Sequence, residues 1–308
     1  MKKINFTAII LFLLFLPDFS KSNENKILVK VNNEIITTID INNEISFLKS
    51  LNSFNNLESF SQSELIESAK KSLIKEKVKE IYLYKVFKNL DLNDDDFNKI
   101  LVSAYSRIKI KNIEELKIYL SKFSINPENL RKKLAINAFW NELIVKKYSN
   151  NVKINRDEIK NELLNSSMQT EFNISEILFM ADKDELSQKY SLIKNSIRDK
   201  GFNNSAIIFS KSDTSSNGGL IGWVKESSIN KKILEEINSI NVGEFSKPIL
   251  VPGGFLILRI NDKRQIEKIE QIDDEINSIV EFKRIDQLNR FSNILFQKVE
   301  KDIIINEL

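Results

Sequence analysis

All seven glycines of this 308-residue chain fall between positions 201 and 254, and two of the four prolines, Pro248 and Pro252, lie among them. Glycine reaches backbone conformations that other residues resist, and proline fixes one. The stretch from Glu171 to Arg264 therefore needs tight turns between strands, whereas the rest of the chain is almost free of breakers and reads as helix. The contrast predicts an α+β fold: a mostly helical body with an inserted module, a small antiparallel sheet packed by helices.

Composition narrows the chemistry. Lys+Arg number 46 against 43 Asp+Glu, a balance that argues against a dedicated nucleic-acid binder. Cysteine is absent, which removes disulfides, thiol nucleophiles and a lipoprotein acylation site. Histidine is absent too, which removes imidazole catalysis and the commonest metal ligand. With no phosphate-binding glycine loop either, no metal, cofactor or nucleotide is expected.

The N-terminus has the layout of a secretory signal. Lys2 and Lys3 form a basic start, Ile4 to Leu16 is apolar apart from Asn5 and Thr7, and Ser20 and Ser22 offer a cleavage site before Asn23. The apolar run is shorter than the roughly 20 residues that span a bilayer. Cleavage and export to a periplasm is the reading; an uncleaved anchor is the alternative.

Two short strands, Ile27 to Val31 and Glu34 to Thr38, flank Asn32-Asn33, a pair suited to a two-residue turn. Asp40 is expected to cap a helix from Ile41 to about Leu51. Ser61 and Glu64 form a capping box before an apolar stripe running from Ile66 to Tyr84. Asn93 with the acidic triplet Asp94 to Asp96 opens a helix and reads as a solvated start rather than a metal site. Further helices start at Asn112, at Asn126 with Pro127 behind it, and at Asn155, the last running toward Met168. After the module, Gln271 to about Lys301 predicts one long helix, and Asp302 to Asn306 a closing strand able to pair with the N-terminal hairpin.

Within the module, Ile174-Ser175-Glu176-Ile177-Leu178-Phe179 alternates as a strand, and a helix with Leu186, Ile193 and Ile197 follows. Then come Ile208-Phe209-Ser210, Ser216-Asn217-Gly218-Gly219-Leu220-Ile221-Gly222-Trp223, Val242-Gly243-Glu244-Phe245-Ser246-Lys247-Pro248 and Gly253-Gly254-Phe255-Leu256-Ile257-Leu258-Arg259. This series resembles the parvulin (PpiC, rotamase) family of peptidyl-prolyl cis-trans isomerases. The flanking regions, with the signal, the Val31-Asn32-Asn33-Glu34-Ile35-Ile36-Thr37 hairpin and the long helix and strand after the module, resemble SurA-type periplasmic chaperones. Those chaperones usually carry two parvulin modules, and this chain has one.

The resemblance implies two histidines on adjacent central strands, and here those positions are Glu176 and Leu256. A third polar family position is Ser212, with Asp213 beside it; both also suit loop capping. Ile221, Ile229 and Ile233 match the positions that hold a proline ring, although the last two also fit a helix core. Trp223 and Phe255 complete the expected peptide-binding set, Trp223 being alternatively a core anchor. Glu176 either opens on the mouth of a groove or pairs with an unidentified base.

The expected division is a signal at 1–22, a helical chaperone domain at 23–170, a parvulin-like domain at 171–264 and a C-terminal helix and strand at 265–308. By resemblance, the function is a chaperone for unfolded outer-membrane polypeptides with weak or absent isomerase activity, and the outer-membrane assembly machinery is the further partner. The alternative is an active isomerase of exported proteins, held at the membrane if the N-terminal segment is retained.

Overall fold

The two ends of the described chain meet in one sheet. In this computed structural model, which describes residues 25–51, 60–105, 112–164, 168–267 and 272–308, β1 (Ile27–Val31) pairs antiparallel with β2 (Glu34–Thr37) across a turn in which Asn32 has φ 51°. The last strand, β7 (Ile305–Glu307), adds to the other edge of β1, giving the order β2-β1-β7. The sheet turns Val29, Val31 and Ile36 inward, all fully buried. The expected signal segment lies outside the described residues. Among the described residues no helix is long and apolar enough to cross a membrane.

Helix α1 spans Thr38–Leu51, three residues earlier than the sequence suggests. Asp40 sits inside its first turn, where its carboxylate accepts from the Thr37 N–H and hydroxyl, both at 2.8 Å, while Thr37 Oγ1 accepts from the Asp40 N–H. Thr37 thus caps the helix, and Asp40 closes a reciprocal box of the kind more often built with Glu. The capping box at α2 (Gln62–Leu83) forms as expected from Ser61 and Glu64. Asn93, Asn112 and Asn126 cap α3 (Asp94–Ala104), α4 (Ile113–Ser121) and α5 (Pro127–Tyr148), and the Asn155 side-chain oxygen accepts from the Glu158 N–H in the first turn of α6 (Arg156–Leu164).

The long helix α10 (Ile272–Lys301) packs on α2, α5 and α6 and closes the helical body. Its Ser292 accepts the indole N–H of fully buried Trp140 at 2.8 Å, so the largest core side chain keeps its one polar atom satisfied.

The module sheet has the order β4-β3-β6-β5, from β3 (Met168–Phe179), β4 (Leu220–Lys225), β5 (Ile249–Val251) and β6 (Gly254–Glu267). Helices α7 (Leu186–Lys200) and α8 (Phe202–Phe209) cover one face, and α9 (Lys231–Asn238) the other. Both central strands outrun the sequence reading: β3 starts six residues before Ile174, and β6 continues eight past Arg259. The extra length is mostly polar, with only Phe172 and Ile260 among its residues buried in the module core, too few to show an apolar period. Within it Arg264 bonds Glu171 across the strands at 2.6 Å.

Two glycines are obligatory. At Gly219 (φ +75°) a Cβ would lie 2.2 Å from the Glu176 carbonyl, and at Gly254 (φ +140°) one would lie 2.4 Å from that of Phe179. Both let a neighbouring turn close onto β3. The module and the body share packing through α8: Phe202 and Ala206 face the module core, while Ile207 joins the core of the body.

Ser292→Ala is expected to lower unfolding free energy by about 1–3 kcal/mol, because it orphans the buried indole donor. Urea denaturation should show a lower midpoint with an unchanged slope; an unaltered midpoint would mean the bond contributes nothing.

Candidate functional site

Strand alternation sorts the module residues onto two faces. Ile174, Glu176 and Leu178 of β3 and Leu256 and Leu258 of β6 point to the side of α9 and α10, whereas Ile177, Phe179, Phe255 and Ile257 point to α7 and α8. On β4 the pairing register with β3 jumps from Gly222 to Leu220. The irregularity skips Ile221 and lets both Ile221 and Val224 face the first side. These residues, with Ile229 just before α9 and Ile233 in its first turn, line a cavity of about 350 Å³.

The opposite wall is α10. Phe282 packs on the module core, and Ile285, Asp286, Asn289 and Arg290 line the cavity beside it. Sequence analysis assigned this helix wholly to the body. Its apolar positions are too evenly spread to mark one stretch as the wall of a groove, and no motif lies in it.

Of the residues singled out from sequence, Glu176, Ser212, Ile221, Ile229, Ile233 and Leu256 come together here. Trp223 and Phe255 do not. Trp223, next to inward Val224, lies outside the groove, half-exposed, with the Arg264 guanidinium 4.1 Å from its ring centre. Phe255, next to inward Leu256, packs against Phe179 on the other face, ring centres 5.8 Å apart. A motif gives residues in order; the pleat decides which of two neighbours reaches the cavity.

Glu176 sits at the polar end. Its Oε1 accepts from the hydroxyls of Ser212 at 2.5 Å and Thr214 at 2.9 Å, so its partners are two neutral donors rather than a base. Burial pushes its carboxyl above the usual carboxylate range; the two hydroxyls oppose that shift, and the charges of Asp286 and Asp213 add to it. Ser212 has a second task, because its hydroxyl also accepts from the Thr214 N–H at the start of the short 3-10 turn Asp213–Asn217.

Three lysines of α2, spaced four apart on one face, hold this turn. Lys71 donates to the carbonyls of Ile208 (3.1 Å) and Ser210 (2.5 Å), Lys75 to the Lys211 carbonyl (3.0 Å) and the Asp213 carboxylate (2.7 Å), and Lys79 to Asp213 (3.4 Å) and Asn137 (3.1 Å). Burial pushes Lys71 down to about 7, with the neighbouring charges of Lys211 and Lys75 adding, and it pushes Lys79 down to about 8 against the pull of Asp213. Partial burial of Asp213 is outweighed by the Lys75 and Lys79 ammoniums, which hold it well below the usual carboxylate range. The lysines escaped sequence analysis because on a helix face they look like any solvated stripe.

Compared with known proteins, residues 172–262 match the rotamase family described as the PPIC-type PPIase domain. The chain is 24% identical over 199 residues to the chaperone SurA of Pseudomonas syringae pv. tomato, covering 60% of this chain and 46% of that protein. It is 23% identical over 239 residues to the foldase protein PrsA of Geobacillus kaustophilus, covering 70% and 82%. The chain spans about half the length of the SurA relatives it matches. Among solved structures, a SurA-like chaperone of Campylobacter jejuni is similar over 92% of this chain and 99% of its own, at 18% identity and a TM-score of 0.38.

A carboxyl whose folded pKa is raised contributes stability below its unfolded value of about 4.3 and loses it as pH rises through the folded value. Charging Glu176 therefore costs the fold at neutral pH. Glu176→Gln, which keeps an acceptor for both hydroxyls, should leave the urea midpoint unchanged near pH 4 and raise it progressively as pH rises above the unfolded value. A midpoint difference that does not vary with pH would show that the carboxyl is not held in an unfavourable site.

Proposed function

We propose, from the premise that residues 172–262 form a PPIC-type PPIase domain, that this chain is an exported SurA-like chaperone. It holds unfolded outer-membrane polypeptides in the periplasm and turns prolyl bonds weakly or not at all. One observation carries the reading. The cavity has the apolar lining a proline ring needs, in Ile221, Ile229, Ile233 and Leu256, but no imidazole stands at its polar end and the chain contains none.

Prolyl rotation is opposed by the partial double bond of the amide, a barrier of about 18–20 kcal/mol. It requires no nucleophile and no obligatory proton transfer. What accelerates it is a site that binds the twisted amide more tightly than the planar one. An aliphatic slot grips the ring in either isomer. The only ionisable group from the module's central strands in that slot, Glu176, is already engaged by Ser212 and Thr214.

A chaperone outside the cytoplasm has no ATP to drive release, so it relies on weak contacts at several places. The likeness to SurA proteins supports unfolded barrel polypeptides as clients and the outer-membrane assembly machinery as the receiver. The N-terminal pattern supports a cleaved signal and a mature start near Asn23. The helical body at 23–170 supplies the wider client surface, and the module at 171–264, closed by the helix and strand of 265–308, supplies the narrower one.

In a light-scattering assay the mature chain should suppress aggregation of a urea-unfolded outer-membrane barrel protein. In a protease-coupled proline-peptide assay it should leave the rate close to the uncatalysed one. Ile233→Asp should weaken binding of proline-containing peptides severalfold, since burying a charge in the slot is costly. Rapid proline rotation without any holding of the barrel protein would replace the chaperone by an active isomerase.

A further inference from the structure

The apolar slot has a neighbour. A second cavity of about 440 Å³ lies beside it and shares Ser228, Ile229, Asn230, Asp286 and Arg290 with it as a common wall. The second cavity is different in chemistry. Its cations are Lys153, Lys231, Lys283 and Arg290, and its anions are Glu158 and Asp286.

Both anions are already held within the wall. Asp286 pairs with Arg290 at 2.9 Å, and Glu158 lies 3.7 Å from Lys231. Lys153 and Lys283 have no carboxylate partner among the described residues. Their placement is built rather than incidental. The Lys153 N–H donates to Gln287 Oε1 at 3.0 Å, and its carbonyl accepts from Gln287 Nε2 at 2.8 Å. That pair of bonds fastens the segment before α6 to α10, four residues along from Lys283, and puts the two uncompensated ammoniums on one mouth.

We propose that this mouth selects client segments carrying Asp or Glu within two residues of the proline that enters the slot. The inference rests on the slot reading given above. An extended chain advances about 3.3 Å per residue, so a side chain one or two positions from a slotted proline reaches the shared stretch and then the mouth. A concave opening walled by protein concentrates the field of unpaired charges, and an incoming carboxylate meets two ammoniums with no competing partner. A lysine or arginine there would face them unscreened. The choice would be made by residues of α10 and of the segment before α6, outside the PPIC-type domain, so specificity would come from the body rather than from the module.

The test uses the full mature chain and fluorescein-labelled heptapeptides with a central Phe-Pro, flanked by Asp, Ala or Lys, in fluorescence anisotropy. Acidic peptides should bind tighter than neutral ones and neutral tighter than basic, with about a three- to tenfold spread between the extremes, as two partly exposed charge pairs allow. High salt should compress the spread. Lys153→Glu with Lys283→Glu should reverse the order, and Lys153→Arg with Lys283→Arg should keep it; both positions are on the surface, and circular dichroism verifies that the variants fold. Equal binding of all three peptides, lost in Ile233→Asp, overturns the basic mouth alone. A charge order that survives the glutamate variant, or appears equally in peptides without proline, also overturns it. Binding of none of the peptides removes the slot reading and this inference with it.

Discussion

A buried ammonium must find oxygen, and in this fold two of them find it where a short helix ends. Lys71 and Lys75 donate to the carbonyls of Ile208, Ser210 and Lys211, where α8 finishes. The Ile208 and Ser210 carbonyls, both reached by Lys71, are of the kind a helix end leaves unpaired, where the negative end of its dipole lies. Lys71 is therefore a helix cap supplied by a different part of the chain, and Lys75 fastens the residues just beyond it. Burial costs Lys71 enough to bring it down to about 7, a cost met only while α8 stays against α2. Undocking would return the ammoniums to water but strip the α8 terminus of its donors and expose Ile207, which is buried in the core of the body.

The groove inherits this coupling. The turn that follows α8 carries Ser212, Asp213 and Thr214. Its position is set from the body by Lys75 and Lys79, and from the module by the Glu176 carboxylate. The opposite wall is likewise shared, because α10 fills the core of the body with Leu288, Leu295 and Phe296 while Phe282 leans on the module. Further along, Gln297 donates to the Gly253 carbonyl at 2.6 Å and fixes the β5–β6 turn. The width of the slot is thus a property of the docked pair, not of the PPIC-type domain alone.

What could be read in advance follows from which features are local. The Asn32 turn, the glycine-bearing turns and the Ser61, Asn93, Asn112 and Asn126 caps each depend on a few consecutive residues, and the sequence displays them. Thr37 took the role expected of Asp40 because the box can be closed from either side, and only the path of β2 into α1 decides where the helix begins. The ends of β3 and β6 are hard to read, since their ladder is mostly polar and isolated core residues such as Phe172 and Ile260 make no hydrophobic period. Trp223 and Phe255 were assigned to the groove by their place in a motif. A shift of one residue along a pleat reverses the face, and the skipped register at Ile221 shows how finely that is set. The lysine ladder and the α10 wall depend on contacts between segments distant in sequence, as Lys71 to Ser210, 139 positions apart, and Phe282 on the module core illustrate.

The same geometry bears on why such a groove would hold rather than twist. Contacts from Ile221, Ile229, Ile233 and Leu256 are dispersive and nondirectional, so they favour a proline ring about equally whether its amide is cis, trans or halfway between. Binding energy of that kind tightens the complex and leaves the barrier where it was. Lowering the barrier requires polar groups aimed at the amide as its conjugation breaks, already oriented and not otherwise occupied. Glu176 is poorly suited: its Oε1 is taken by two hydroxyls, and its charged form is disfavoured by burial. At the other family position Leu256 offers only methyl groups. Apolar grip with no imidazole, and with the central-strand carboxyl engaged through Oε1, is the combination expected of a surface that would retain a polypeptide and let its prolyl bonds turn at their own pace.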